Sequence, residues 1–210
     1  MRRYLQYALA ALILWMLVGG PYVYYRYRQK EYRNFRVVRA GVLYRSGQLN
    51  PSGLQKVIHD HQIKTVVSLR FAENPADPPP DIAEENWCIN VGLNYYRVRP
   101  RTWSEQDGWA PADASVRRFL QIMDNPENYP VLVHCFAGCH RTGTYIAAYR
   151  MEFEHWTKAE ALAEIRQAGS DVGGSWDVLK YLEQYRPRQT REVSAGAEEA
   201  EAEIPRCWRQ

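Results

Sequence analysis

The chain has 210 residues, of which 46% are hydrophobic and 24% are charged, a balance that is ordinary for a globular protein with a sizeable core. Its net charge of +3 and the lack of a basic block with interleaved aromatic residues argue against a nucleic-acid-binding protein. The four cysteines, Cys88, Cys135, Cys139 and Cys207, have neither the number nor the spacing of a disulfide framework, and the sequence does not favour a metal site.

The first predicted element is an apolar helix at the N-terminus. Residues 4–25 (YLQYALAALILWMLVGGPYVYY) contain Gln6 as their only strongly polar side chain, and about 20 such residues suffice to cross the hydrocarbon core of a bilayer. A cleaved signal peptide is the alternative. The stretch is long for a signal peptide, and Pro21 disfavours cleavage after the two glycines, so we expect an uncleaved membrane anchor.

Basic residues flank this segment unequally. Arg2 and Arg3 precede it, whereas six basic residues follow it: Arg26, Arg28, Lys30, Arg33, Arg36 and Arg39. The positive-inside rule therefore predicts a single-pass membrane protein whose remaining chain lies in the cytoplasm, where a cysteine stays reduced. We assign residues 1–33 to the anchor and a basic juxtamembrane segment.

The rest of the chain alternates between strands and helices. Strands are predicted as a hairpin within residues 35–48 and at residues 64–70, 94–100 and 130–135. Helices are predicted at residues 51–63, 82–90, 112–125, 142–155, 158–169 and 175–186. This order is typical of an α/β domain with a central, largely parallel sheet flanked by helices on both faces. We place that domain at residues 34–187 and a disordered acidic tail at residues 188–210, which lack an apolar face.

The stretch VLVHCFAGCHRTG (131–143) joins a predicted buried strand to a predicted helix and contains the candidate catalytic residues. Ligands gather at the carboxyl ends of parallel strands, and a helix N-terminus turns N–H groups and a positive dipole end toward an anion. Cys135 opens the loop, Gly138 allows a tight turn, and Arg141 adds a guanidinium suited to phosphate oxygens. The same field stabilises a thiolate, so the loop predicts an anion site with Cys135 as its nucleophile.

Other residues of this stretch have predicted supporting roles. Thr142 can place a hydroxyl near the sulfur, and His134 can hold the loop through the backbone. The phosphate would be bound by the loop residues Phe136, Ala137, Gly138, Cys139 and His140. Cys139 could trap an oxidised Cys135 as a disulfide, but we favour a small residue that fills the loop interior.

The sequence His134–Cys135, five residues, then Arg141–Thr142 resembles the signature of the cysteine-dependent phosphatases. Residues 41–49 (GVLYRSGQL) and 54–70 (LQKVIHDHQIKTVVSLR) look like the atypical dual-specificity phosphatases of bacteria, plants and fungi. The resemblance covers about residues 35–186. It implies a dual-specificity phosphatase-like three-layer fold, a thiol-phosphate intermediate, phosphorylated proteins as substrates, and no metal or other cofactor.

The resemblance also implies a general acid on a loop roughly 30 residues before the cysteine. The loop TWSEQDGWAP (102–111) offers Asp107 and Glu105. Asp113 falls in the first turn of the next helix, where an acid usually interacts with the helix dipole. We choose Asp107 over Glu105 by a small margin, and the alternative is that both are solvated carboxylates.

Several alternatives stay open. An inositol-phosphate or phosphoinositide phosphatase is the second enzyme candidate, although relatives that act on inositol pyrophosphates carry Lys where this chain has Cys139. A phosphate-binding pseudophosphatase is disfavoured by the intact Cys135, Arg141 and Thr142, and a thiol-redox sensor is more remote. The sequence indicates no oligomeric state. Arg45 could buttress the site, but we expect Arg45 and Arg70 to be structural ion-pair partners.

Overall fold

The computed structural model describes residues 2–72, 74, 76–99, 112–169 and 176–188. Its helices are α1 (Arg2–Leu14), α2 (Gly20–Glu31), α3 (Pro51–His61), α4 (Ile82–Asn90), α5 (Ala112–Asp124), α6 (His140–Phe153), α7 (Lys158–Gln167) and α8 (Trp176–Gln184). Its strands are β1 (Arg36–Arg39), β2 (Leu43–Gly47), β3 (Thr65–Ser68), β4 (Asn94–Arg97) and β5 (Val131–Cys135). Each predicted strand and helix of the body is therefore confirmed, with bounds that differ by a few residues.

The N-terminal helix continues from α1 through a π-helical turn at Trp15–Gly19 into α2. Its segment Gln6–Arg26 has 21 residues and a mean hydropathy of 1.6, and none of its most apolar stretch is buried. This length and composition are sufficient for a membrane crossing. A signal sequence near an N-terminus has the same properties.

The five strands form one sheet in the order β1-β2-β5-β3-β4. Strand β1 is antiparallel to β2, and the other three pairs are parallel. In the register of the central strands, Gly47 pairs with Cys135 and Ser68 with His134. The predicted, largely parallel central sheet is confirmed, and the carboxyl ends of β2, β5 and β3 meet at Cys135.

Helices cover both faces of this sheet because the side chains of β5 alternate between them. Val131 and Val133 pack in a core cluster with residues of α5, α6, α7 and α8. Leu132 points to the opposite face and packs with residues of α3 and α4. Helix α6 crosses the first face and is buried from Thr142 to Glu152, which fixes its N-terminus at the end of β5.

Contacts to the core are also made by residues that flank the predicted domain of residues 34–187, whose limits stay a prediction. Tyr32 packs against the cluster under α3 and α4. At the other end, Arg188 forms ion pairs with Asp124 at 2.7 Å and Glu152 at 3.1 Å. Tyr32 and Arg188 therefore both contact the body of the fold. The remainder of the predicted tail, residues 189–210, lies outside the described residues.

Candidate active site

Cys135 is the last residue of β5 and is 4% exposed. The loop of residues 136–139 follows, and α6 begins at His140. Gly138 has a φ of +77°, in the left-handed region that favours glycine, and its N–H donates to Cys135 Sγ over 3.2 Å. The structure therefore brings the predicted nucleophile, the turn and the helix N-terminus together at one end of the central strand.

Three consecutive carbonyls after Cys135 are held from outside the loop. The donors are Gln48 N–H to Phe136 O at 3.1 Å, Asn34 Nδ2 to Ala137 O at 2.7 Å and Arg45 Nη2 to Gly138 O at 2.7 Å. Because a trans peptide carries its N–H opposite its C=O, the three following N–H groups point away from these outside donors, and that of Gly138 points to Cys135 Sγ. This arrangement can hold the oxygens of a phosphate at the N-terminus of α6.

The environment of Cys135 favours its thiolate. Burial disfavours the charge, but hydrogen bonding from Thr142 and from the Gly138 N–H, together with the charge of Arg141, outweighs burial and lowers the pKa of Cys135 below its ordinary value. Thr142 is fully buried in the first turn of α6. The supporting role of the Thr142 hydroxyl stays a prediction.

Arg141 lies in the first turn of α6 and is partly exposed. Its Nη1 donates to the carbonyl of Leu69 over 3.3 Å, and its guanidinium carbon lies 4.9 Å from the centroid of the Phe71 ring. Both partners follow strand β3, whose carboxyl end neighbours that of β5. The guanidinium is thus held beside the loop by a carbonyl and an aromatic face, which leaves further N–H donors available for an anion.

His134 is held beneath the loop by an ion pair rather than exposed as a base. Its Nε2 lies 2.7 Å from Glu84 Oε1, and its Nδ1 lies 3.4 Å from the carbonyl of Cys135. Burial disfavours the imidazolium, but the carboxylate of Glu84 outweighs burial and raises the pKa of His134 above its ordinary value. The supporting role of His134 in holding the loop stays a prediction.

Asp81, Glu84 and His134 are the described residues whose ligand-type atoms lie close enough for a metal, within 4.8 Å of one another. Asp81 is already occupied by protein donors. Its carboxylate accepts hydrogen bonds from Ser68, Tyr95 and Arg97. Since these donors and the Arg97 charge satisfy it, the cluster is best described as a buried network that joins α4 to the sheet and supports His134.

Cys139 packs on the outer side of the loop. Its Sγ accepts a hydrogen bond from Asn34 Nδ2 at 3.3 Å and donates toward the carbonyls of Ala137 at 3.6 Å and Ala168 at 3.5 Å. Burial and the neighbouring Cys135 raise the pKa of Cys139 above its ordinary value. These contacts favour the interpretation of Cys139 as a buried packing residue.

Ion-pair partners for Arg45 and Arg70, which we expect from the sequence, are not found among the residues that the structure describes. Arg45 supports the loop, and Arg70 Nη1 donates to Gln48 Oε1. Sequence reasoning also missed the loop contacts of Asn34 and Gln48. For Arg45, the available signal was a charged residue inside a strand of otherwise apolar and small residues, which requires a specific buried partner.

Phe136 projects from the loop and is 53% exposed. The guanidinium carbons of Arg33 and Arg70 lie 3.9 and 5.1 Å from its ring centroid. Phe71 is contacted in the same way by Arg141 and by Arg99, at 4.9 and 5.3 Å. Within the described ranges none of these four arginines pairs with a carboxylate, so the loop is bordered by positive charge.

The predicted general acid cannot be placed in this geometry. Asp107 and Glu105 both lie outside the described residues. Asp113 stands in the first turn of α5, and its carboxylate accepts a hydrogen bond from Tyr181 over 2.9 Å. This contact agrees with a structural role for Asp113, so the choice between Asp107 and Glu105 stays a prediction.

Comparison with known proteins shows the family. A family model described as "Tyrosine phosphatase family" matches residues 31–198. The OCA1 protein of Debaryomyces hansenii, which carries the name of a tyrosine-protein phosphatase, is 33% identical over 149 residues, covering 68% of this chain and 71% of that protein. The dual specificity protein phosphatase CDC14A of Mus musculus is 47% identical over 76 residues, but the match spans only 12% of its length.

Solved structures share the fold. The catalytic core of the PP-IP phosphatase SIW14 from S. cerevisiae matches with a TM-score of 0.59 and 23% identity, covering 79% of this chain and 93% of that one. TpbA of P. aeruginosa matches with a TM-score of 0.59 and 26% identity, covering 77% and 91%. The mixed α/β fold with its central sheet and flanking helices is therefore shared with these phosphatases. This chain belongs to the tyrosine phosphatase family and is a member of the cysteine-dependent, dual-specificity-like phosphatase superfamily.

Proposed function

We propose that this chain hydrolyses the phosphate monoesters of phosphotyrosine and phosphoserine/threonine proteins through a cysteinyl-phosphate intermediate. One observation carries the proposal: the buried Cys135 Sγ lies 3.2 Å from the N–H of Gly138, in a loop whose carbonyls are held outward. A nucleophile and an anion site therefore occupy the same position.

In the proposed reaction, the Cys135 thiolate attacks phosphorus while the bond from phosphorus to the substrate oxygen breaks. The inward N–H groups and Arg141 bind the phosphate oxygens, and Asp107 gives its proton to the departing oxygen. Water, deprotonated by the same carboxylate, then attacks the phosphocysteine and releases phosphate. The hydroxyl of Thr142 stabilises the thiolate that leaves in this second step.

Protein substrates are supported by the relatives. OCA1 carries the name of a tyrosine-protein phosphatase, CDC14A that of a dual specificity protein phosphatase, and TpbA has been solved in complex with pTyr. An exposed aromatic side chain on the loop, Phe136, could contact a substrate ring.

An inositol-phosphate or phosphoinositide substrate is the second candidate. The observation that favours it is the set of arginines around the loop, Arg33, Arg70, Arg99 and Arg141, which lack carboxylate partners within the described part of the chain. These cations could replace the loop lysine that is absent at Cys139. The structural neighbour SIW14 is itself a PP-IP phosphatase.

The N-terminal helix supports a further part of the proposal, a single-pass anchor at residues 1–33 with the phosphatase domain in the cytoplasm. Extraction of cell membranes with alkaline carbonate tests the anchor, and mass spectrometry of the mature N-terminus tests cleavage. An intact N-terminus in the membrane pellet is expected. A chain that begins after the apolar segment would instead identify a signal sequence.

The activity test compares variants of the full-length chain in detergent, without added metal. Substrates are an aryl phosphate, matched phosphotyrosine and phosphoserine peptides, and a soluble inositol polyphosphate. We expect phosphate release from the peptides, its loss in Cys135→Ser, and its retention in Cys88→Ala, which changes a buried cysteine outside the loop. Asp107→Asn should slow hydrolysis of the phosphoserine peptide more than hydrolysis of the aryl phosphate, because an alkoxide leaving group needs a proton more than an aryl oxide does.

Each alternative has its own result in this comparison. If Asp107→Asn releases phosphate at the wild-type rate and Glu105→Gln releases it slowly, the general acid is Glu105. Preferential release from the inositol polyphosphate would favour the second candidate. A folded, reduced chain that binds phosphate but releases none from any substrate would contradict the enzyme and favour the pseudophosphatase.

A further inference from the structure

Asn34 lies outside the signature sequence, between helix α2 and strand β1. Its backbone has a φ of 50°, a left-handed conformation that asparagine tolerates better than most residues. Its side-chain Nδ2 donates to Ala137 O at 2.7 Å and to Cys139 Sγ at 3.3 Å. One amide group thus contacts two residues of the phosphate loop across a sequence separation of about 100 residues.

The backbone beside Asn34 is itself fixed to the end of strand β2. The N–H of Gly47 donates to the carbonyl of Arg33 over 2.6 Å. A Cβ atom at Gly47 would lie 2.9 Å from the carbonyl carbon and oxygen of Ala137 and 2.9 Å from Cδ of Arg33. The three segments therefore pack with no room for a side chain at Gly47. The Asn34 amide is therefore presented to the loop from a rigid position.

The carbonyl that Asn34 holds belongs to the same peptide unit as the N–H of Gly138. Because this peptide is planar and trans, the direction of its C=O fixes the direction of its N–H. The Ala137 carbonyl is held at 2.7 Å on one side, and the Gly138 N–H lies 3.2 Å from Cys135 Sγ on the other. Rotation of this peptide would remove the N–H from the sulfur.

We propose that Asn34 is a positioning residue that locks the Ala137–Gly138 peptide so that its N–H faces the sulfur of Cys135. Asn34 does not touch the substrate and acts through the backbone of the loop. The inference rests on the proposed function, in which Cys135 reacts as a thiolate that the Gly138 N–H stabilises.

Two substitutions in the full-length chain separate the amide from the backbone. Asn34→Gly keeps the left-handed conformation accessible and removes the amide. Asn34→Asp keeps the size of the side chain but replaces the donor with a carboxylate that repels the Ala137 carbonyl. The matched control is Asn128→Asp, because the buried Asn128 amide also donates to a carbonyl, Ile122 O at 2.8 Å, outside the loop.

The readouts are kcat and KM for an aryl phosphate and the pH dependence of Cys135 alkylation by iodoacetamide, located by tandem mass spectrometry. We expect both Asn34 variants to lower kcat about tenfold with little change in KM, as for the loss of one hydrogen bond to a developing charge. Alkylation should also shift to higher pH, because the loosened N–H no longer stabilises the thiolate. Asn128→Asp should leave both readouts at the wild-type values.

Folded Asn34 variants with wild-type kcat and a wild-type alkylation profile would overturn the proposal, even if their melting temperatures fall as that of Asn128→Asp does. The alkylation profile does not require turnover. If the wild-type chain releases no phosphate, the proposed function fails, yet the same profile still decides whether Asn34 controls the thiolate.

Discussion

The guanidinium of Arg45 donates from Nη2 to the carbonyl of Gly138 over 2.7 Å, and the Arg45 side chain is only 1% exposed. Its Nε and Nη1 have no hydrogen-bond partner within the described part of the chain. Burial lowers the pKa of Arg45, although Glu164 opposes this effect. A charge buried with so few partners is costly for folding, so its contact with the loop points to a role in function.

Replacement of Arg45 should therefore separate activity from stability. Arg45→Met keeps much of the volume and removes the donor, and we expect kcat/KM for phosphate release to fall at least about tenfold. The free energy of unfolding should change little or rise, because a poorly paired buried charge is lost. Urea unfolding and steady-state kinetics measure the two effects. Wild-type kcat/KM in the folded Met variant would contradict the role that we assign to Arg45.

Gly138 should tolerate no side chain. A Cβ at this position would lie 2.4 Å from the Gly47 nitrogen and 2.5 Å from the Ser46 carbonyl carbon. We expect Gly138→Ala to abolish phosphate release and to destabilise the fold by more than the roughly 1–2 kcal/mol of left-handed strain alone.

Gly92 provides the matched control for this substitution. Its φ of +81° is similar, but a Cβ there would meet no atom within 4 Å. Gly92→Ala should lower the unfolding free energy only by the left-handed strain and should leave phosphate release unchanged. Equal losses of unfolding free energy in the two variants would show that the loop accommodates a methyl group, against our description of its packing.

The ion pair between His134 and Glu84 should make stability depend on pH. Because the folded pKa of His134 is raised above its ordinary value of 6.5, the pair contributes fully below pH 6.5 and is lost as pH rises through the folded pKa. The unfolding free energy of wild type minus that of Glu84→Gln should therefore be largest just below pH 6.5, on the order of 1–3 kcal/mol, and should shrink as pH rises through the folded pKa of His134.

Glu127→Gln serves as the control because Glu127 is exposed and, among the described residues, has no ion pair. It should give a small difference at every pH. A difference between wild type and Glu84→Gln that is constant from acid to alkaline pH would show that His134 is neutral throughout, contrary to this interpretation.

The body of the fold could be predicted because its signals are local. The β-branched run at residues 64–70 and the apolar strand before Cys135 indicate buried strands, and the structure places them as β3 and β5. The loop from Cys135 to Arg141 was also identifiable, since its chemistry lies within seven consecutive residues.

The supporting contacts could not be predicted, because they depend on which strands become neighbours. Arg45 reaches Gly138 only because β2 lies next to β5, and Asn34 reaches Ala137 only because its segment is tied to the end of β2. Arg70 and Phe136 likewise meet through the sheet order rather than through sequence proximity. Neither hydrophobic periodicity nor motif spacing encodes such long-range pairs.

The central claim is that Cys135 takes up the phosphoryl group, and rapid acid quenching tests it most directly. The full-length chain is mixed with an excess of a phosphotyrosine peptide, quenched in acid within the first turnover and analysed by mass spectrometry. We predict one added phosphoryl group, located on Cys135, that disappears as the substrate is exhausted and is absent from Cys135→Ser. Rapid phosphate release with an unmodified Cys135 at every time, and with Cys135→Ser still active, would contradict the account.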